Sequence, residues 1–209
     1  MSTSTRCEKP PIYLWILLIS LLGLVFNSQT ALAKPLPVNN RLGGDFELPS
    51  TLEDSAGEPG AIAGLSDFKG KVILLNFGYT HCPDICPMVV ARMTQVVKRL
   101  GDDAKEVQGL FVTFDPKRDT VARLAEYLRY FNPSFVGFSG TQQQIAAVAK
   151  QYGVIYMEQK GDSAAGTLFS HSDFIYLLDR RGRVRALFAT DKPLQEMVDD
   201  VRSLIDEVQ

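Results

Sequence analysis

Cys82 and Cys86 stand four positions apart in the stretch Tyr79-Thr80-His81-Cys82-Pro83-Asp84-Ile85-Cys86-Pro87. The whole 209-residue chain holds three Cys and two His, so thiol or soft-metal chemistry must use almost all of them. On a first helical turn, residues four apart face the same way with Cβ atoms about 5–6 Å apart. A small adjustment brings such a pair to disulfide distance or sets both thiolates on one metal. The unpaired N–H groups of a helix start favour the thiolate and lower its pKa. Asp84 works against this, because a nearby carboxylate disfavours a second negative charge.

Three kinds of chemistry fit the pair. A structural disulfide closing so short a loop removes little unfolded-chain entropy, so the pair is poorly placed as a staple. A redox dithiol of the thioredoxin kind normally has two intervening residues, whereas this pair has Pro83, Asp84 and Ile85 between its cysteines. A metal site needs further ligands, and His171 is the residue that discriminates. Two thiolates and one imidazole suit copper in either oxidation state, with zinc as the structural competitor that wants a fourth ligand. His81 is a poor candidate for that ligand, since adjacent residues at a helix start do not face each other. His171 lies in a Ser-His-Ser loop, and a single His in such a loop is, taken alone, more often solvated than ligating.

The elements around the motif follow from periodicity. Val72 to Phe77 is nearly all apolar, as in a strand buried on both faces of a partly parallel sheet. It hands over to a helix with Val89, Met93, Val96, Val97 and Leu100 at three- and four-residue steps. The motif thus lies outside the carboxyl end of a central strand, where open α/β sheets carry their ligand sites. Gly109 to Phe114 reads as a second buried strand, followed by helices over about Thr120–Phe131 and Gln142–Tyr152. Phe174–Leu178 and Val184–Phe188 flank Asp179-Arg180-Arg181-Gly182, a hairpin signal. A last amphipathic helix runs from Leu194 to Val208, and Lys160–Gly166 is a small-residue loop just before His171. Strand, helix, strand, helix, hairpin, helix is the element order of a thioredoxin-like α/β domain.

Residues 1–33 read as a targeting segment. Arg6 and Lys9 precede the apolar run Ile12–Phe26, and Ala31-Leu32-Ala33 is a small-x-small cleavage pattern. The run is shorter than the roughly 20 residues of a comfortable membrane span. It is therefore a cleaved signal peptide or, in the alternative, a retained single-span anchor. Either way the positive residues stay cytoplasmic and the domain is exported, soluble or tethered in the periplasm. Cys7 precedes the apolar run and is set aside. Residues 34–42, with two Pro and two Asn, read as a linker, and residues 43–209 as the domain. In an oxidising compartment the remaining thiol pair forms a disulfide unless a metal or a reductase prevents it. A balance of 22 basic against 24 acidic side chains excludes the basic footprint of a general nucleic-acid binder.

These residues resemble the SCO/SenC family of copper-binding thioredoxin-like proteins from about Gly43 to the C-terminus. The resemblance is carried by Gly70-Lys71-Val72, by Phe77 through Pro87, and by Phe114-Asp115-Pro116 with Arg118-Asp119-Thr120. Val136-Gly137, Gly140-Thr141, and His171-Ser172 before Tyr176-Leu177 complete it. It implies that Cys82, Cys86 and His171 bind copper, as Cu(I) or Cu(II). It also implies a role in assembling haem–copper (cytochrome c) oxidases. The chain would act either by delivering copper to the dinuclear centre of subunit II or by reducing that centre's cysteines. A periplasmic copper chaperone or a thiol reductase is a further implied partner. Asp115 matches a family position near the metal site and is expected to support the ligands from behind. Some relatives carry Asp directly before the histidine where this chain has Ser170, which bears on the tautomer of His171. Thioredoxin-like reductases place a cis-Pro opposite their cysteines, whereas Phe169-Ser170-His171-Ser172 has no Pro, favouring metal over plain dithiol chemistry.

A metallochaperone is the leading expectation, with a thiol–disulfide oxidoreductase as the alternative and a peroxidase, on the loose echo in Thr80-His81-Cys82, a weaker third. The cluster Lys117-Arg118-Asp119 reads as a solvated helix entrance.

Overall fold

The computed structural model describes residues 35–159 and 167–207. The targeting segment, the loop Lys160–Gly166 and Val208 lie outside the described residues. Strand β3 (Val72–Gly78) is buried along its whole length, which is why its sequence is apolar without alternation. It pairs in parallel with β4 (Val107–Thr113), which pairs in parallel with β5 (Val136–Phe138). On its other side β3 pairs antiparallel with β8 (Ile175–Leu178), and β8 with β9 (Val184–Phe188). The five-stranded order is β5-β4-β3-β8-β9.

Two apolar layers cover this sheet, and the two-residue period of β3 divides its side chains between them. Val72 and Leu74 face a layer built with α1 (Ile85–Leu100), α2 (Val121–Arg129) and α4 (Leu194–Ile205). Ile73, Leu75 and Phe77 face a layer that includes α3 (Gln142–Gln151) and the hairpin of β1 (Glu47–Pro49) with β2 (Ile62–Gly64). The expected stripe Val89, Met93, Val96, Val97 and Leu100 is buried on α1, each side chain contributing about 1.5–3 kcal/mol. Gly101, with φ +62°, ends that helix in a conformation that suits only glycine. Thr120 and Thr141 cap α2 and α3 through their side chains. The Asp179–Gly182 turn is held by Asp179 Oδ1, which accepts the N–H groups of Arg181 and Arg183 at 3.0 Å each.

The α/β thioredoxin-like class stands, and the differences are local. Residues 35–42, expected as a linker, lie against the domain. Leu36 O accepts the Arg185 guanidinium, and Asn39 N donates to Val184 O at 2.8 Å. The stretch around His171, expected as a loop, is a strand. β6 (Tyr156–Gln159) pairs antiparallel with β7 (Leu168–His171), with Tyr156 opposite His171. No helix among the described residues is long and apolar enough to cross a membrane.

Candidate metal centre

Cys86 lies in the first turn of α1, where its side chain turns inward over the end of β3 and is 1% exposed. Gly78 makes room for it: a Cβ there would stand 3.1 Å from Cys86 Sγ and 3.0 Å from the Phe111 ring. Cys82 is not on the helix. It sits in the turn before α1, so the cysteines meet through the fold of that turn rather than through the one-turn spacing expected from sequence. Cys86 N donates to Cys82 Sγ at 3.4 Å, so a sulfur takes the acceptor position at the helix start that the Asp84 side chain leaves unused.

His171, at the end of β7, completes the group. Its Nε2 is 3.4 Å from Cys86 Sγ, and one ligand atom from each of the three residues lies within 4.8 Å of the others. Its Nδ1 is 2.9 Å from Ser172 O. A carbonyl only accepts, so Nδ1 carries the hydrogen and Nε2 faces the sulfurs. The acceptor expected from Asp in relatives is thus supplied by a backbone carbonyl. Ser170 turns away to accept from Gln159 Nε2 at 2.9 Å.

The two thiols are unequal. The hydrogen bond from Cys86 brings Cys82 down to about 3, with His171 and the N–H groups of Cys86 and Asp84 adding to it against burial. Cys86 moves far up, because it donates to Cys82 and is buried. Burial lowers the His171 pKa, but the Cys82 thiolate and the Ser172 carbonyl outweigh it and leave the ring above its ordinary value. The result is a half-exposed thiolate, a buried thiol beneath it and an imidazole alongside. Three soft donors so placed can take one soft metal ion, or pass a proton and an electron pair between them as a dithiol.

An aromatic wall closes the back of the site. Phe114 and Tyr79 lie 4.9 and 6.1 Å from the His171 ring, centroid to centroid. Tyr79 OH accepts from Phe169 N at 3.3 Å. On the open side a cavity of about 360 Å³ is lined by Cys82, Pro83, Ile85, Phe169 and His171 among others.

Asp115 is buried nearby, but its carboxylate accepts from Arg118 and its backbone N–H donates to the Thr113 hydroxyl, and neither bond reaches the cysteines or His171. Arg118 in turn donates to Thr167 O at 2.6 Å just before β7 and lies 5.8 Å from the Tyr79 ring centroid. Asp119, read from sequence as part of a solvated helix entrance, is 0% exposed. Its carboxylate accepts from Thr80 N, Thr80 Oγ1 and Thr113 Oγ1 at 2.8, 2.6 and 2.7 Å, tying the cysteine turn to the end of β4. Thr80 is 39 positions away in sequence, so the tie to the cysteine turn is not visible from the residues around position 119. His81 stands outside the three-residue group, partly exposed beside Asp119.

The SCO1/SenC family model matches residues 36–206, nearly all of the described domain. The chain belongs to the SCO1/SenC family. An SCO2-like protein of Rickettsia conorii is 37% identical over 166 residues, 79% of this chain and 78% of the relative. The solved structure of Bradyrhizobium japonicum ScoI with copper bound is similar at 33% identity and a TM-score of 0.69, over 78% of this chain and 99% of that one. Yeast Sco1 with copper bound is similar at 30% identity and a TM-score of 0.64, over 79% and 91% of the two chains. Copper belongs to those two structures. The SCO1/SenC chain described here presents a Cys-Cys-His group suited to holding it.

Proposed function

We propose that this chain is a copper metallochaperone for the dinuclear copper centre of a haem–copper oxidase, with Cys82, Cys86 and His171 as its copper ligands. The observation that carries the reading is the convergence of two sulfurs and one oriented imidazole nitrogen within 4.8 Å of one another. Thiolate and imidazole donors together suit copper, and the open cavity beside Cys82 leaves an approach for an incoming acceptor. The acceptor is oxidase subunit II, by the family resemblance. The N-terminal run Ile12–Phe26 behind Arg6 and Lys9 puts the domain on the periplasmic face, released or tethered.

A second reading, a thiol–disulfide oxidoreductase acting on the same acceptor, is favoured by the unequal thiols. A low-pKa Cys82 over a buried Cys86 is the arrangement of an attacking and a resolving cysteine. One experiment separates the two. Copper-loaded and copper-free protein are each mixed with a soluble subunit II fragment whose centre is reduced or held as a disulfide. The chaperone reading expects copper to appear on the reduced acceptor, and to fail to appear when the donor is His171→Ala. Thiols released on the oxidised acceptor, at the same rate with His171→Ala, would replace it with the reductase reading.

A further inference from the structure

His81 is the second histidine of the chain, adjacent to Cys82, and its hydrogen bonds fix which nitrogen it offers. Thr80 Oγ1 has one hydrogen and gives it to Asp119 Oδ1 at 2.6 Å. Its contact with His81 Nδ1 at 3.1 Å therefore has the ring nitrogen as donor. The same Asp119 oxygen lies 3.4 Å from Nδ1 and favours a hydrogen there. Nε2 is then left with its lone pair, on a side chain 38% exposed. A buried acceptor behind one ring nitrogen, leaving the other free, is the arrangement that orients ligating histidines. His171 is held the same way by Ser172 O. The chain thus carries two imidazoles with Nδ1 tethered, one inside the Cys-Cys-His group and one outside it on the residue that precedes Cys82.

We propose that His81 is an exchange ligand, holding copper together with Cys82 while the ion moves between the inner group and an acceptor. This deepens the copper reading and rests on it. Copper bound by three residues, one of them buried, must pass through states in which some of those bonds are already broken. In the outward step the bond from copper to His81 Nε2 forms as the bond to His171 Nε2 breaks. An acceptor thiol then gives its proton to Cys86, and its sulfur takes the place on copper that Cys86 leaves. Copper remains Cu(I) throughout, and the Cys86 thiol returns to its buried, protonated state. Asp119 and Thr80 are positioning residues for this step, since they fix the ring without touching the metal.

The test separates rate from equilibrium. Cu(I) transfer from the reduced protein to bathocuproine disulfonate is followed by stopped flow, and affinity is measured by competition with the same chelator. His81→Ala is expected to keep one copper and affinity within about twofold of wild type, while exchange slows about tenfold, the scale seen when a ligand's support is disturbed. Added imidazole should restore the rate. Thr80→Val should slow exchange less, and in the metal-free protein ¹⁵N-detected NMR should show His81 losing its single Nδ1–H tautomer. Exchange at the wild-type rate in His81→Ala would overturn the proposal. A loss of affinity as large as that of His171→Ala would also overturn it, by making His81 a resident ligand. Failure of the wild-type protein to bind copper would instead remove the function on which the proposal stands.

Discussion

At the scale of single residues, the chemistry rests on an asymmetry between two thiols that share one motif. Cys82 is lowered from a value near 9 to about 3, so it is a thiolate across the whole neutral range. Iodoacetamide should therefore modify Cys82 in the reduced, metal-free protein at a rate nearly flat between about pH 5 and 8, where an ordinary thiol speeds up about tenfold per unit. Peptide mapping should find the label on Cys82 and not on buried Cys86; label on Cys86 first would reverse the assignment. The same shift has a stability consequence. Between the folded and unfolded pKa values the unfolded chain binds the extra proton, so stability rises with pH. Denaturation midpoints of the reduced protein should therefore climb from about pH 4 to pH 7 more steeply than those of Cys82→Ser, and parallel curves would contradict it. The cysteine pair stands out from residue types and spacing alone, whereas His171 joins it only through the family resemblance. Asp119 does not stand out, because the Thr80 groups it accepts from are brought to it by the fold from 39 positions away. The link from Asp115 through Arg118 to Thr167 O depends on side-chain geometry that the sequence does not display.

At the scale of elements, the end of β3 and the start of α1 set the sulfur positions. Gly78→Ala would press a methyl against Phe111 and Cys86 Sγ, at a cost of about 1–3 kcal/mol, and should also weaken copper binding. Gly109→Ala, on β4, would put a methyl 2.5 Å from the Phe135 ring at a similar cost, but it should leave copper affinity alone. Urea denaturation and copper competition on both variants check this. An equal loss of copper affinity in the two would show that Gly78 acts only through general stability. Periodicity made β3, β4, α1 and the β8–β9 hairpin readable, because burial on one or both faces leaves a pattern in sequence. The β6–β7 hairpin left no such pattern. Met157 and Glu158 are exposed, and the strands owe their form to backbone pairing with each other.

At the scale of the whole molecule, the end of the sheet away from the cysteines is held by Arg185. It is 6% exposed and donates to Asp179, to Glu207 just past α4, and to Leu36 O. This link is why residues 35–42 lie on the domain, and the Pro- and Asn-rich composition of that segment gave no sign of it. Arg185→Ala should lower stability by about 3 kcal/mol, because buried Asp179 loses one partner but keeps Arg183 and two backbone N–H groups. Copper affinity should be unchanged; a fall in it would show the two ends of the sheet to be coupled. The most direct test of the copper centre itself is a Cu(I) competition titration of the reduced protein beside its His171→Ala variant. One copper per chain, with affinity reduced about tenfold or more in the variant, is expected if Cys82, Cys86 and His171 hold the ion together. Wild-type affinity in the variant would contradict the three-ligand centre.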